Sequence, residues 1–163
     1  MNLLITGARD WKHKDAIHQL LKMFKDDIKV VIHGGAKGAD SIADHEAQTL
    51  GIPTEEYPAL WSTHGRRAGA IRNQQMLDEA NPDAVWAFPT DNSTGTWNMI
   101  RKAEKAGLPV YIFKKVRNTS TFVIWKAGTD SPVGKFYGSY LGLTNTDCPF
   151  LADPESLTTL DIP

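Results

Sequence analysis

Short apolar runs alternate with amphipathic stretches along the first two thirds of the chain. Asn2 to Thr6 is apolar at Leu3, Leu4 and Ile5 and stops at Gly7, as a strand covered on both faces would. Lys14 to Phe24 carries Ile17, Leu20, Leu21 and Phe24 at helical spacing and predicts a helix. Lys29 to His33 predicts a second strand, and Ser41 to Leu50 a second helix closed by Gly51. Thr54 to Tyr57 is a short third strand between prolines; Pro58 to Gly69 follows as a loop and Ala70 to Ala80 as a helix. Ala84 to Phe88 predicts the fourth strand, Pro89 to Thr94 a polar turn, Gly95 to Ala106 a further helix ended by Gly107, and Pro109 to Phe113 the fifth strand.

Strands that alternate with helices and are apolar on both faces predict an α/β fold. The expected sheet is doubly wound, mostly parallel and five-stranded, with helices on each side and right-handed crossovers. The pattern changes after Lys114. Thr121 to Trp125 reads as a strand and Phe136 to Tyr140 as its partner, with the turn formers Gly128, Asp130, Pro132 and Gly134 between them, so a C-terminal β-hairpin extension is expected. Residues 144–163 lack periodicity and predict a tail packed on the surface. The organisation is then an α/β core over 1–113 and an extension over 114–163. The extension is too short to bury a core of its own and is expected to belong to the same domain.

Composition narrows the function classes. A chain of 163 residues with 41% hydrophobic and 23% charged residues suits one soluble domain with a sizeable core. Its formal net charge of -1 speaks against a nucleic-acid partner. Cys148 is the only cysteine, which excludes a disulfide or a Cys-based zinc site within the chain and fits a reducing compartment. The first apolar run is too short for a signal peptide and nothing approaches a membrane span, so a cytoplasmic protein with no membrane partner is expected. The five histidines show no metal-ligand spacing; neither a metal nor a cofactor is expected.

The chemistry should lie at the carboxyl ends of the strands, where open parallel sheets bind ligands. Gly34-Gly35-Ala36-Lys37-Gly38-Ala39-Asp40 follows the second strand and opens a helix, which makes an anion cradle of backbone N–H groups. It matches neither the P-loop nor the G-x-G-x-x-G spacing. Asp40 could cap the helix or contact ribose hydroxyls. The first loop begins at Gly7; Arg9 could fork a phosphate and Asp10 accept from sugar hydroxyls. In the third loop Trp61 could stack on a base, and Arg72 and Asn73 open a helix at the loop's end, whereas Arg66 and Arg67 read as a solvated face. Gly95-Thr96 offers a second anion site at a helix start.

These segments carry a resemblance. Ile5 to Trp11, His33 to Asp40, Trp61 with Gly65 and Ala68-Gly69, Ile71-Arg72-Asn73 with Met76, and Ala87-Phe88-Pro89 with Gly95-Thr96 resemble the YspA/YpsA-related branch of the SLOG superfamily, which also includes DprA and the LOG phosphoribohydrolases. The resemblance covers roughly residues 2 to 113. It implies a Rossmann-like fold, a nucleotide or nucleotide-derived ligand, and a homo-oligomer. In LOG enzymes an Arg-Lys-x-x-Met motif and a Pro-Gly-Gly-x-Gly-Thr-x-x-Glu motif act in cleaving base from sugar. Arg72 and Met76 fit the first, with Asn73 in place of lysine; Pro89, Gly95 and Thr96 fit the second, with Met99 in place of the glutamate.

The expected function is therefore binding of an AMP-, ADP-ribose- or cyclic-nucleotide-like ligand by a sensor or sequestering module. The alternative is a LOG-like N-glycoside hydrolase of nucleoside monophosphates, for which Arg72 and Asp40 are the catalytic candidates. A thioether at Met99 can neither stabilise oxocarbenium charge nor activate water, which weighs against that alternative. DprA-like binding of single-stranded DNA is the third reading.

Overall fold

The computed structural model describes residues 1–115, 121–128, 132–137 and 140–143. The elements run in the order β1 (Asn2–Gly7), α1 (Lys14–Met23), β2 (Val30–His33), α2 (Ala39–Thr49), β3 (Thr54–Glu56), α3 (Trp61–His64), α4 (Ala68–Glu79), β4 (Ala84–Phe88), α5 (Thr94–Lys105), β5 (Val110–Lys115), β6 (Thr121–Lys126), β7 (Pro132–Tyr137) and β8 (Tyr140–Leu143). The strands form one sheet in the order β3-β2-β1-β4-β5-β6-β7-β8. The β3-to-β5 half is parallel, and β6, β7 and β8 extend it by antiparallel pairing.

Alternation along the strands divides the core into two layers. Leu3, Ile5, Trp86, Phe88, Tyr111 and Phe113 face α1 and α2, packing on Ile17, Leu20, Leu21, Ala43 and Ala47. Leu4, Val85, Ala87, Val110 and Ile112 face the other way, onto Met76 of α4 and Met99, Ile100 and Ala103 of α5. All five residues of β4 are buried because helices cover both its faces. Phe88 stacks on Phe113 at 4.8 Å between ring centroids, and Trp11 meets Phe88 edge-on, so the aromatics of three neighbouring elements interlock.

The doubly wound α/β fold expected from the pattern, Rossmann-like as the resemblance implies, is present; two segments differ in detail. Pro58 to Gly69, expected as a loop, contains the single turn α3, and α4 begins at Ala68 rather than Ala70. Every residue of α3 is exposed, so no apolar stripe marks it in the sequence. The strand paired with β6 on its far side from β5 is Pro132–Tyr137, and Tyr137 pairs in turn with Tyr140 of β8. The expected strand Phe136 to Tyr140 thus takes in the end of β7 and the start of β8. The expected tail over 144–163 lies outside the described residues.

Candidate functional site

The chain places β2 and β3 on one side of β1 and β4 and β5 on the other. The switch in strand order therefore falls at the carboxyl ends of β1 and β4, where the loops after β1, β2 and β4 meet.

The loop after β1 and the bend after β2 are in intimate contact. Gly38 has φ +78°, and a Cβ there would collide with the backbone carbonyls of Ala8 and Arg9. The Ala39 N–H donates to the Ala8 carbonyl at 3.1 Å. Gly7 packs directly on Ala39, with no room for a side chain.

Asp40 is buried and turned back into the bend. Its Oδ2 accepts from the Gly34 N–H at 3.0 Å and the Ala36 N–H at 3.3 Å. The Gly35 N–H donates to His33 Nδ1 at 3.0 Å, and His33 Nε2 lies 2.8 Å from Asp44 Oδ1. The amides of residues 34, 35 and 36 are thus engaged within the fold. The Lys37 and Gly38 N–H groups hydrogen-bond no partner among the described residues and are the donors the bend leaves over. Burial pushes the Asp40 carboxyl above the usual range, against the opposing pull of His33, the two amides and Arg72.

Arg72 lies under the same bend. Its Nη1 donates to the Gly34 carbonyl at 2.6 Å and to the Tyr57 carbonyl at 3.4 Å, and its Nε donates to Asn73 Oδ1 at 3.1 Å. A Cβ on Gly34 would overlap this guanidinium. Burial lowers the Arg72 pKa; Asp40 opposes that, and the positive charge of Arg9 adds to it. Arg9 is exposed and lies 5.6 Å from the ring centroid of the half-exposed Trp61. Asn73 is buried, and its Nδ2 donates to the Gly95 carbonyl at 3.3 Å and to Asn98 Oδ1 at 3.1 Å.

Two consecutive residues of α4 therefore tie the bend after β2 to the start of α5. Arg72 holds Gly34 and Asn73 holds Gly95. Asp10 reaches a different neighbour, accepting from Thr90 Oγ1 at 2.7 Å. The remaining candidates divide. Gly95 is exposed with open space where a Cβ would stand, Thr96 is buried, and a side chain on Gly35 would strike Glu56. Arg66 and Arg67 are exposed. Met99 is fully buried among the aliphatic side chains of the α4–α5 layer.

Beside Asp10 the structure opens a cavity of about 460 Å³ that the sequence reasoning missed. Trp11 and His13 line it from the β1 loop, Pro89, Thr90 and Asp91 from the β4 loop. Trp97 of α5 and Lys114 and Lys115 at the end of β5 complete it. The available signal was positional: Lys114-Lys115 closes a strand at the same sheet edge as the other loops.

The fold and crevice define a Rossmann-like α/β protein whose loops converge at the carboxyl ends of β1 and β4. A model of the YspA, cpYpsA-related SLOG family matches residues 1–64. The Gene 61 protein of Mycobacterium phage D29 is 39% identical over 122 residues, which cover 68% of this chain and 94% of that protein. The chain belongs to the YspA/cpYpsA-related SLOG family. Among solved structures it is similar to DNA processing protein A (DprA) from Streptococcus pneumoniae, with a TM-score of 0.59 and 15% identity over 72% of this chain and 51% of that one. DprA from Helicobacter pylori gives a TM-score of 0.55 and 19% identity over 72% of this chain and 67% of that one. The chain thus spans about half the length of the S. pneumoniae protein.

One expectation is overturned here. Net charge speaks against a nucleic-acid partner, yet the H. pylori DprA that shares this fold has a single-stranded DNA binding mode. Net charge averages the whole surface, whereas binding depends on where cations cluster. No helix among the described residues is long and apolar enough to cross a membrane.

Proposed function

We propose that the protein binds a phosphorylated nucleoside derivative in the crevice bounded by Arg9, the 34–40 bend and the start of α5. The observation that carries this reading is the pair of guanidinium groups at the crevice edge. The Arg9 backbone touches Gly38 and the Arg72 guanidinium is seated under Gly34, so both arginines border the same bend, and the positive charge of Arg9 disfavours that of Arg72. Asp40, which pulls against that repulsion, is already bonded to two loop amides and disfavoured as an anion by burial. A phosphate supplies the negative charge this arrangement lacks, with the Lys37 and Gly38 amides as further donors. Gly95, bare and exposed, lets a ligand approach the α5 backbone closely. The position where the resemblance places a catalytic glutamate holds Met99 in the core, so the reading is binding rather than cleavage.

Calorimetric titration with AMP, ADP-ribose and cyclic AMP tests it. Arg9→Ala and Arg72→Ala should each weaken the best ligand at least about ten-fold, the loss of one charge-assisted hydrogen bond. Full affinity in both variants removes the reading. Chromatography of the incubated ligand should return it intact; release of free base would instead establish N-glycoside hydrolysis.

A second reading, single-stranded nucleic acid, rests on the exposed Trp61 with Arg9 beside it and Arg66 and Arg67 nearby in sequence, on a fold shared with a DprA protein. Polarisation of a labelled oligonucleotide should then show binding that weakens steeply with salt and is lost in Trp61→Ala.

A further inference from the structure

The crevice has two halves, divided by consecutive residues. Arg9 turns to Trp61 on the β2 side, whereas Asp10 turns to Thr90 on the β4 side. The cavity of about 460 Å³ lies entirely on the Asp10 side, and its volume falls in the range of small-molecule sites.

Its lining has a particular chemistry. Trp97 supplies an indole whose face carries the Lys114 ammonium, 5.2 Å from the ring centroid. Trp97 is half-buried and lines the cavity, and the Lys114 side chain over its ring is exposed. His13 stands across from the same opening, its ring edge-on to Trp11 and Phe122. Its pKa is lowered by burial and then by the charge of Lys115, which favours the neutral ring. Asp10 and Asp91 offer carboxylate acceptors, and Lys114 and Lys115 offer donors. Two carboxylates balance two ammonium groups, so the lining does not select an anion as the Arg9–Arg72 edge does. Aromatic faces combined with acceptors and donors suit a flat heterocycle edged by amines and ring nitrogens.

The geometry points to this cavity as a nucleobase site: a purine stacks on Trp97, with its amino edge toward the carboxylates of Asp10 and Asp91. Resting on the phosphate site proposed above, the two halves together hold one nucleotide, its base and its phosphate on opposite sides of the Arg9–Asp10 peptide. The base displaces the Lys114 ammonium from the indole face and frees it to bond a ring nitrogen or sugar hydroxyl.

The test compares AMP, adenosine and ribose 5-phosphate against the full chain, by calorimetry and by tryptophan fluorescence. In Trp97→Leu the affinity for AMP should fall about ten-fold, as expected for losing one base–aromatic stack, with ribose 5-phosphate affinity unchanged. Trp97→Phe should retain most of the affinity for AMP, and it keeps the test available if the leucine variant fails to fold. Adenosine should quench the fluorescence of a Trp61→Leu variant, which lacks the exposed Trp61 indole, and should not quench that of a Trp61→Leu/Trp97→Leu variant. Equal weakening of AMP and ribose 5-phosphate, or unaltered AMP affinity, overturns the base site. If adenosine binds through Trp97 while ribose 5-phosphate does not bind the wild type, the phosphate reading fails and the base site stands. If adenosine fails to bind the wild type, the base site falls.

Discussion

Gly34 and Arg72 should be energetically coupled, and the size of the coupling follows from their contact. A Cβ at position 34 overlaps Arg72 Nη1, so in Gly34→Ala the guanidinium must swing away. That breaks the 2.6 Å bond to the buried Gly34 carbonyl and the longer one to Tyr57. A hydrogen bond to a charged group contributes about 1.5–3 kcal/mol. Gly34 does not lie in the left-handed region, so alanine meets no backbone strain there, and the stiffer unfolded chain returns about 0.4–1 kcal/mol. The net loss should be about 0.5–2.6 kcal/mol, a fall in Tm of roughly 5 °C at the middle of that range for a domain of this size. In an Arg72→Ala background the obstacle is gone, and Gly34→Ala should be neutral or slightly stabilising. Urea unfolding of the four proteins gives the coupling, expected at about 2 kcal/mol with unchanged m-values. If the two single losses add to within about 0.5 kcal/mol, the guanidinium is not seated under Gly34 and the geometry proposed for the crevice is wrong.

Other substitutions separate folding roles from ligand roles. Gly38→Ala combines a left-handed backbone with a collision against two carbonyls and should cost about 3 kcal/mol by urea unfolding. Gly95→Ala meets nothing in the fold and should stabilise α5 by up to about 1 kcal/mol while weakening nucleotide binding; unchanged affinity would show that no ligand approaches that backbone. Asp40 has a native pKa above its unfolded value, so its contribution to stability is full below the ordinary carboxylate pKa and declines as pH rises through the native value. Asp40→Asn should remove that decline, read as urea midpoints followed upward from pH 3.5. Asp44 has the opposite sign: burial raises its pKa, but hydrogen bonds from His33, Thr54 and Gln48 with the His33 charge outweigh burial and lower it. Its contribution is present above pH 4 and is lost as pH falls further, so Asp44→Asn should flatten that acid limb.

The central strands and their layering were legible because β1 and β4 are apolar on both faces, a pattern few other arrangements produce. Leu3-Leu4-Ile5 and Ala84 to Phe88 announce a sheet covered twice. The glycine bend was legible as a bend but not as a bonding pattern. That Asp40 would take the Gly34 and Ala36 amides, and that Arg72 would fill the space a Gly34 side chain denies, depends on contacts between positions distant in the chain. The cavity was hidden for the same reason. Trp11, Thr90, Trp97 and Lys114 sit on four separate segments, and each alone reads as core or solvated surface. α3 escaped notice because a fully exposed turn has no apolar period.

The central claim is that the loops at the carboxyl ends of β1, β2 and β4 form one ligand crevice. Amide-resolved NMR during titration with AMP tests it most directly. The account predicts saturable shifts concentrated at Arg9, Asp10, Lys37, Gly38, Gly95 and the Trp97 indole, with the far ends of the strands still. Shifts centred elsewhere, or none with AMP, ADP-ribose or cyclic AMP, would contradict it.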